Sequence, residues 1–268
     1  MPRRRLPNTV TAIIRQLTIT REAWHQYPTA RLITSAQFDK LDDGPYSTSL
    51  LTRLVSEAGD VPRTLAAQAP LTDVASKALD RLTLYVSHFH QVYDLGVSRG
   101  VFTPGGRAYY GSEITADKVP ELSSSVQVFE AARQIGPGET ARRAKEGATS
   151  TAMALPSAAE VTAIYTSTKA LHDSSLTAQA ATDLEQNELA ALYPDAQRLA
   201  VQLCNTVEYR LENDDAYRHL NDAGRRAIAR RWGVVYIYDA SETPDPGDNN
   251  ATNTTLPSPS ALTPPSNP

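Results

Sequence analysis

A three-and-four spacing of apolar residues in two long segments is the feature that most constrains the fold. The first segment carries it at these positions: Leu71, Val74, Ala78, Leu82, Tyr85, Phe89, Val92 and Gly96. The second carries a heptad-like seam: Val161, Ile164, Thr168, Leu171, Ser175, Ala178, Thr182, Glu185, Leu189 and Leu192. Only an α-helix gathers such positions on one side. The spacing predicts helices over 70–100 and 157–192, and a mainly α protein built as an antiparallel helical bundle.

Prolines and glycines divide the chain into shorter pieces. We expect helices to break at Pro62 and at Gly136-Pro137-Gly138, and to kink or restart at Pro194, because proline lacks the amide that an interior turn requires. The resulting segments are an N-terminal arm at 1–19, a helical unit at 20–122, a linker with a short helix at 123–155, a helical hairpin or bundle with one short C-terminal strand at 156–240, and a tail at 241–268.

The tail contains seven prolines, no lysine or arginine, and many serines, threonines and asparagines. Such a composition buries too little apolar surface to offset the entropy of ordering, so we expect a disordered segment.

Charge and cysteine content narrow the class of protein. The net charge is −4, which disfavours a protein built mainly to bind nucleic acid. The single cysteine allows no internal disulfide, and no apolar run approaches the roughly 20 residues of a membrane span. The apolar stretch after Arg3–Arg5 is short and ends at Arg15, so we expect no signal peptide. A cytoplasmic location follows, or export by a route that leaves no cleavable mark.

Motifs that would hold a cofactor or perform catalysis are missing. The chain has neither a glycine-rich phosphate loop nor a Glu-x-x-His di-iron motif, so we predict no cofactor and name no catalytic residue. His88 and His90, with Asp94 as a third ligand, are the weak candidates for a metal site. A spacing of two turns the two histidines about 200° apart on a helix, which disfavours a shared ion.

The densest charge cluster consists of four arginines: Arg225, Arg226, Arg230 and Arg231. Arg226 and Arg230 are one turn apart and share a face, which suits an anion or a nucleic-acid phosphate. The alternative is structural, because positive charge at the end of a helix complements its dipole. Asp214, Asp215 and Asp222 lie near enough in sequence to neutralise much of the patch.

The segment 234–238 has the pattern that most clearly predicts a β-strand. Four residues in and before it form a candidate interface: Trp232, Val234, Tyr236 and Tyr238. A lone strand leaves its backbone groups unpaired, so it must find a partner. Pairing with the N-terminal arm, near residues 9–17, is the favoured alternative, and strand addition between two copies is the other.

Five short stretches are similar to a known group of proteins: 86–95 (VSHFHQVYDL), 107–111 (RAYYG), 193–196 (YPDA), 207–209 (VEY) and 231–236 (RWGVVY). Through them, residues 70–240 resemble uncharacterised helical proteins common in Bacteroidota and related bacteria. The resemblance implies an all-helical scaffold ending in a Gly-Val-Val-Tyr strand. That group has no established activity, so no catalytic residue is carried over.

These observations favour a non-enzymatic structural or protein-interaction protein. It would bind a protein partner or a second copy of itself through the long seam or the terminal strand. A nucleic-acid- or anion-binding accessory protein that uses the arginine cluster is the alternative. An enzyme without a recognisable motif is the third hypothesis.

Overall fold

The computed structural model describes residues 2–42, 49–111, 120–147, 150–239 and 241–245. The helices are α1 (Val10–Gln26), α2 (Ser35–Leu41), α3 (Leu50–Ser98), α4 (Ser125–Glu146), α5 (Ala158–Asn213) and α6 (Asp222–Arg231), with 3₁₀ helices at Pro104–Tyr110 and Asp215–Tyr217. The strands are β1 (Arg3–Arg5) and β2 (Val235–Ile237). The predicted mainly α fold with one short C-terminal strand is confirmed. Most of the predicted disordered tail, 246–268, lies outside the described residues.

The long helices continue through their prolines. α3 contains Pro62 and Pro70, α4 contains Pro137, and α5 contains Pro194. The breaks expected at Pro62 and Pro137 are therefore wrong, and the helix does not restart at Pro194. All four prolines occupy solvent-exposed positions. A carbonyl that loses its amide partner on that side of a helix can bond to water instead, and helices commonly bend away from such a site. None of the described helices combines the length and apolar character needed to cross a membrane.

The chain forms two compact units. The first is drawn from the ranges 1–59 and 186–268, and the second from 60–185. This division differs from the sequence-based boundaries because α3 and α5 each contribute residues to both units. Two segments also differ in structure: residues 10–19 of the predicted arm begin α1, and the predicted linker contains α4, whose side chains enter the core of the second unit.

The core of the first unit joins α1, α2, α5 and the C-terminal segment. Ile13 and Leu17 of α1 and Val207 of α5 are fully buried in it. The threonine hydroxyl of Thr20 donates to the carbonyl of Trp232 at 2.8 Å, which ties α1 to the chain that follows α6. This hydrogen bond and the burial of Trp232 and Val234 in the same core hold the C-terminal segment in the first unit.

The terminal strand pairs within its own chain. β1 and β2 are antiparallel, with Arg4 opposite Tyr236. The prediction that the N-terminal arm supplies the partner is confirmed, but the pairing residues are Arg3–Arg5 rather than 9–17. The reason is local: the Thr9 hydroxyl accepts the Ala12 amide at 3.2 Å and caps α1, so residues from 10 onward are helical.

The core of the second unit lies between α3, α4, α5 and the 3₁₀ helix Pro104–Tyr110. The predicted stripe on α3 is right for Leu82, Phe89 and Gly96. It is wrong for Leu71, Val74 and Val92, which are exposed. The buried face is rotated slightly and includes these residues: Ala75, Val86 and Tyr93.

The seam predicted on α5 is confirmed, because each of its ten positions is buried or half-buried. The middle of this seam is polar, and its hydroxyl groups contact α3. In the second unit the Thr168 hydroxyl donates to the carbonyl of Ala78 at 3.3 Å, and the hydroxyls of Thr72 and Ser175 lie 3.3 Å apart. Hydroxyls there replace apolar packing between α3 and α5.

Candidate oxyanion-binding site

Helix α6 and the strand after it place three polar side chains together. The Asn221 side chain accepts the Gly224 amide at 2.8 Å and starts α6, which sets Arg226 and Arg230 one turn apart. At the other end Gly233 has a φ of +89°, a conformation that L side chains rarely adopt. The chain turns there into β2, and Tyr238 then lies beside Arg230.

Arg226, Arg230 and Tyr238, which we call the clamp, converge on the carboxylate of Asp245. Arg226 donates from Nε to Oδ2 at 2.8 Å and from Nη2 to Oδ1 at 2.9 Å, a bidentate arrangement. Arg230 donates from Nη2 to Oδ2 at 3.0 Å, and the Tyr238 hydroxyl donates to Oδ2 at 2.8 Å. Four donors therefore surround one carboxylate.

The clamp is largely shielded from solvent. The Asp245 side chain is 9% exposed, and those of Arg226 and Arg230 are each 19% exposed. Hydrogen bonds from Arg226 hold the pKa of the Asp245 carboxyl well below its ordinary value, and those bonds in turn raise the pKa of the Arg226 guanidinium. Burial, followed by the hydrogen bond to Asp245, raises the pKa of the Tyr238 hydroxyl. At neutral pH the Asp245 carboxyl is therefore ionised, the Arg226 guanidinium is charged, and the Tyr238 hydroxyl keeps its proton and can donate it in a hydrogen bond.

A cleft of about 290 Å³ adjoins the clamp, and Arg226, a member of the clamp, also lines this cleft. On one wall, Glu208 of α5 accepts from Arg4 at 2.6 Å and from the Tyr236 hydroxyl at 2.9 Å. Its lining carries charges of both signs: Arg4, Glu208, Glu212, Asp222, Arg225 and Arg226.

The four predicted anion-binding arginines do not share one site. Arg226 and Arg230 belong to the clamp. Arg225 instead donates to the carbonyl of Leu220 at 3.2 Å and lies 3.5 Å from Asp222, while Arg231 is exposed. The two arginines that helical spacing places on one face are thus the two that bond the same carboxylate.

The four predicted interface residues lie mostly inside the first unit. Trp232 and Val234 are buried in its core, Tyr236 is half-buried against Glu208, and Tyr238 belongs to the clamp. Sequence reasoning missed Asp245, because it lies in a proline-rich segment with no periodicity. It missed the clamp role of Tyr238, because the pattern at 234–238 predicts a strand and an interface and gives no sign of a contact with Arg230.

The weak metal candidates do not come together. His88 is exposed, His90 is buried, and Asp94 accepts a 2.7 Å bond from Arg107. Among the described residues, these three side chains do not form a group with metal-ligand spacing. The His90 ring packs against the aromatic rings of Phe89 and Tyr110, and burial lowers its pKa to about 4.

A separate cluster of ionised side chains lies in the core of the second unit and holds parts of that unit together. Arg142 is fully buried, bonds Glu139 at 3.0 Å and the Tyr110 hydroxyl at 2.8 Å, and donates to the carbonyl of Thr151 at 2.6 Å. Burial alone would raise the pKa of Glu139, but hydrogen bonds from Arg142 and Tyr110 outweigh it and lower that pKa. The cluster ties α4 to the 3₁₀ helix and to the segment after 150.

No family model, curated protein or solved structure matches this chain. The resemblance of residues 70–240 to uncharacterised helical proteins of Bacteroidota therefore stays a prediction.

Proposed function

We propose that this protein is a non-enzymatic protein-interaction protein that binds an acidic peptide segment at the clamp. The observation that carries the proposal is the convergence of four donors from Arg226, Arg230 and Tyr238 on one carboxylate. A paired guanidinium matches the planar geometry of a carboxylate, and such charge-assisted bonds are roughly twice as strong as neutral ones.

The kind of ligand follows from what surrounds the clamp. Its occupant is an aspartate in a non-helical segment, 241–245, so an acidic side chain on a non-helical peptide fits the geometry. The adjoining cleft carries Glu208, Glu212 and Asp222 beside its arginines. Those carboxylates would repel a continuous phosphate backbone, and the net charge of −4 acts in the same direction. These features favour a peptide over a nucleic acid.

Self-association through the seam or the strand has less support. The seam positions on α5 are already covered, and β2 already pairs with β1. The clamp, in contrast, is a recognition geometry in which one ligand can replace another of the same chemistry.

The test is a fluorescence-anisotropy titration of a labelled peptide, Asp-Ala-Ser-Glu-Thr-Pro-Asp with an amidated end. It uses Asp245→Ala protein, in which the clamp is vacated. We expect binding that is lost when Arg226→Ala and Arg230→Ala are added. The peptide with Asn in place of its last Asp should bind at least about tenfold more weakly, because the charge-assisted bonds are lost.

The matched control removes two other arginines of the first unit. Arg198 and Arg218 have side chains that are 68% and 67% exposed, and each forms an ion pair with an aspartate three residues before it. Arg198→Ala with Arg218→Ala should leave peptide binding intact at the same net charge. Equal binding by the clamp-deficient protein would refute the proposal. So would a single-stranded DNA that binds through the clamp more tightly than the peptide.

A further inference from the structure

We infer that Asp245 is a resident competitor, an intramolecular ligand that must leave the clamp before a partner's acidic segment can enter. This inference rests on the proposed function and adds its regulation. The tail of the chain would set the threshold for partner binding, so the protein in its resting state is self-occupied.

Two carboxylates cannot share the clamp. Asp245 takes both the Nε and the Nη2 of Arg226, and one Nη of Arg230. The Tyr238 hydroxyl donates to the Asp245 carboxylate at 2.8 Å and accepts the Asp245 amide at 3.3 Å. A second acidic side chain would find these donors committed to the Asp245 carboxylate, whose side chain is 9% exposed. Occupation by the tail and by a partner is therefore mutually exclusive.

The segment that carries Asp245 is held in place close to the clamp. It begins at Tyr238, itself a member of the clamp, and it turns at once. The Glu242 amide donates to the carbonyl of Asp239 at 2.8 Å, and the Asp239 amide donates to the Glu242 carboxylate at 2.9 Å. Arg3 of β1 lies 3.5 Å from the Asp239 carboxylate. This turn shortens the tether and directs the following residues back toward α6.

A short tether gives the competitor an advantage over any free ligand. Short flexible connections commonly correspond to effective concentrations in the millimolar range, and pre-organisation by the turn adds to this. A partner with the same carboxylate chemistry must overcome that concentration. We expect the wild-type chain to bind the free peptide about tenfold more weakly than a chain without the Asp245 carboxylate.

The experiment compares wild-type and Asp245→Ala proteins in the same anisotropy titration with the amidated heptapeptide. Asp245→Ala should bind about tenfold more tightly. The control is Asp195→Ala, which removes an equally charged aspartate that is 65% exposed in the first unit, and it should bind like wild type. Circular dichroism of each variant checks that α6 and the long helices are retained.

The outcomes separate the two proposals. Equal affinity of wild type and Asp245→Ala, with binding abolished in both by Arg226→Ala plus Arg230→Ala, would overturn the competitor role and leave the proposed function standing. No binding to either protein would overturn the proposed function, and the competitor role with it. A gain in affinity that Asp195→Ala reproduces would overturn the competitor role, because it would be a general effect of charge.

Discussion

Arg142 and Arg226 each form ion pairs with carboxylates, but the two arginines differ in how much of the side chain is exposed to solvent. Arg142 is fully buried, and its bonds go to side chains and carbonyls within the second unit. Removing Glu139 would break a buried ion pair and leave Arg142 with Glu146 as its remaining carboxylate partner, so exchange of this partner is costly. Arg226 retains some exposure and borders a cleft, which is why we propose that its carboxylate partner exchanges. Similar chemistry is structural in one place and suited to binding in the other.

Burial of His90 predicts how the stability of the second unit depends on pH. The pKa of His90 is lowered to about 4 chiefly by burial, with Asp94 acting weakly in the opposite direction. As the pH falls below about 6.5, the unfolded chain takes up a proton that folded His90 does not, so the free energy of unfolding decreases until about pH 4. Its contribution is complete above pH 6.5 and should fall by about 2 kcal/mol between pH 7 and pH 5.

Urea denaturation at the two pH values checks this dependence. His90→Gln should lose most of the drop in stability, because glutamine does not titrate. His88→Gln, on the exposed side of the same helix, should keep the wild-type drop. A drop of the same size in all three proteins would mean that other groups cause it.

Between elements of the second unit, α4 approaches the backbone of the 3₁₀ helix closely at Gly138. A β-carbon on Gly138 would lie 2.1 Å from the carbonyl oxygen of Tyr109, which is backbone and cannot move aside. Gly138→Ala should therefore destabilise the protein by about 1–3 kcal/mol through strain. Gly59→Ala, where nothing lies within 4 Å of the added carbon, should stabilise α3 by about 0.5–1 kcal/mol. Thermal unfolding of both variants measures the contrast, and two changes of the same sign would contradict it.

Helix positions were predictable from local pattern, while their extents were not. The seam on α5 is confirmed along its whole length, because its periodicity reflects a single packed face. The break predicted at Pro62 is absent and the helix does not restart at Pro194, although proline removes one hydrogen bond of the helix. Leu192 and Ala196 are buried on either side of Pro194, whereas residues 55–74 around Pro62 are exposed or half-buried. Likewise, Pro137 between two glycines did not end α4, whose neighbouring side chains are buried. At Pro137 and Pro194, buried neighbouring residues outweigh the local signal that would end the helix.

At the scale of the whole molecule, the sequence predicted the class but not the division into units. The stretches of α3 before and after residue 59 belong to different units, as do the stretches of α5 on either side of 186. Periodicity identifies which face of a helix is buried, but it carries no information on which partner covers that face. The clamp shows the same limit, because Arg226 and Arg230 were recognisable as a pair, whereas Asp245 follows them at a distance that no periodicity predicts.

The competitor role, and the clamp geometry from which the proposed function is argued, both require that Asp245 is bound as an ionised carboxylate, and that state has a direct signature. Its carboxyl pKa lies well below the ordinary 3.8, chiefly through the bonds from Arg226. The stabilising contact is therefore complete above pH 3.8 and is lost only as the pH falls toward the depressed value.

The most direct measurement is an NMR titration of the Asp245 side-chain carboxyl carbon. In the wild-type protein we expect no titration down to about pH 3, and in the Arg226→Ala, Arg230→Ala protein a midpoint that returns to about 3.8. A midpoint near 3.8 in the wild-type protein would contradict the proposal, because it would show that the carboxylate is not held by the clamp.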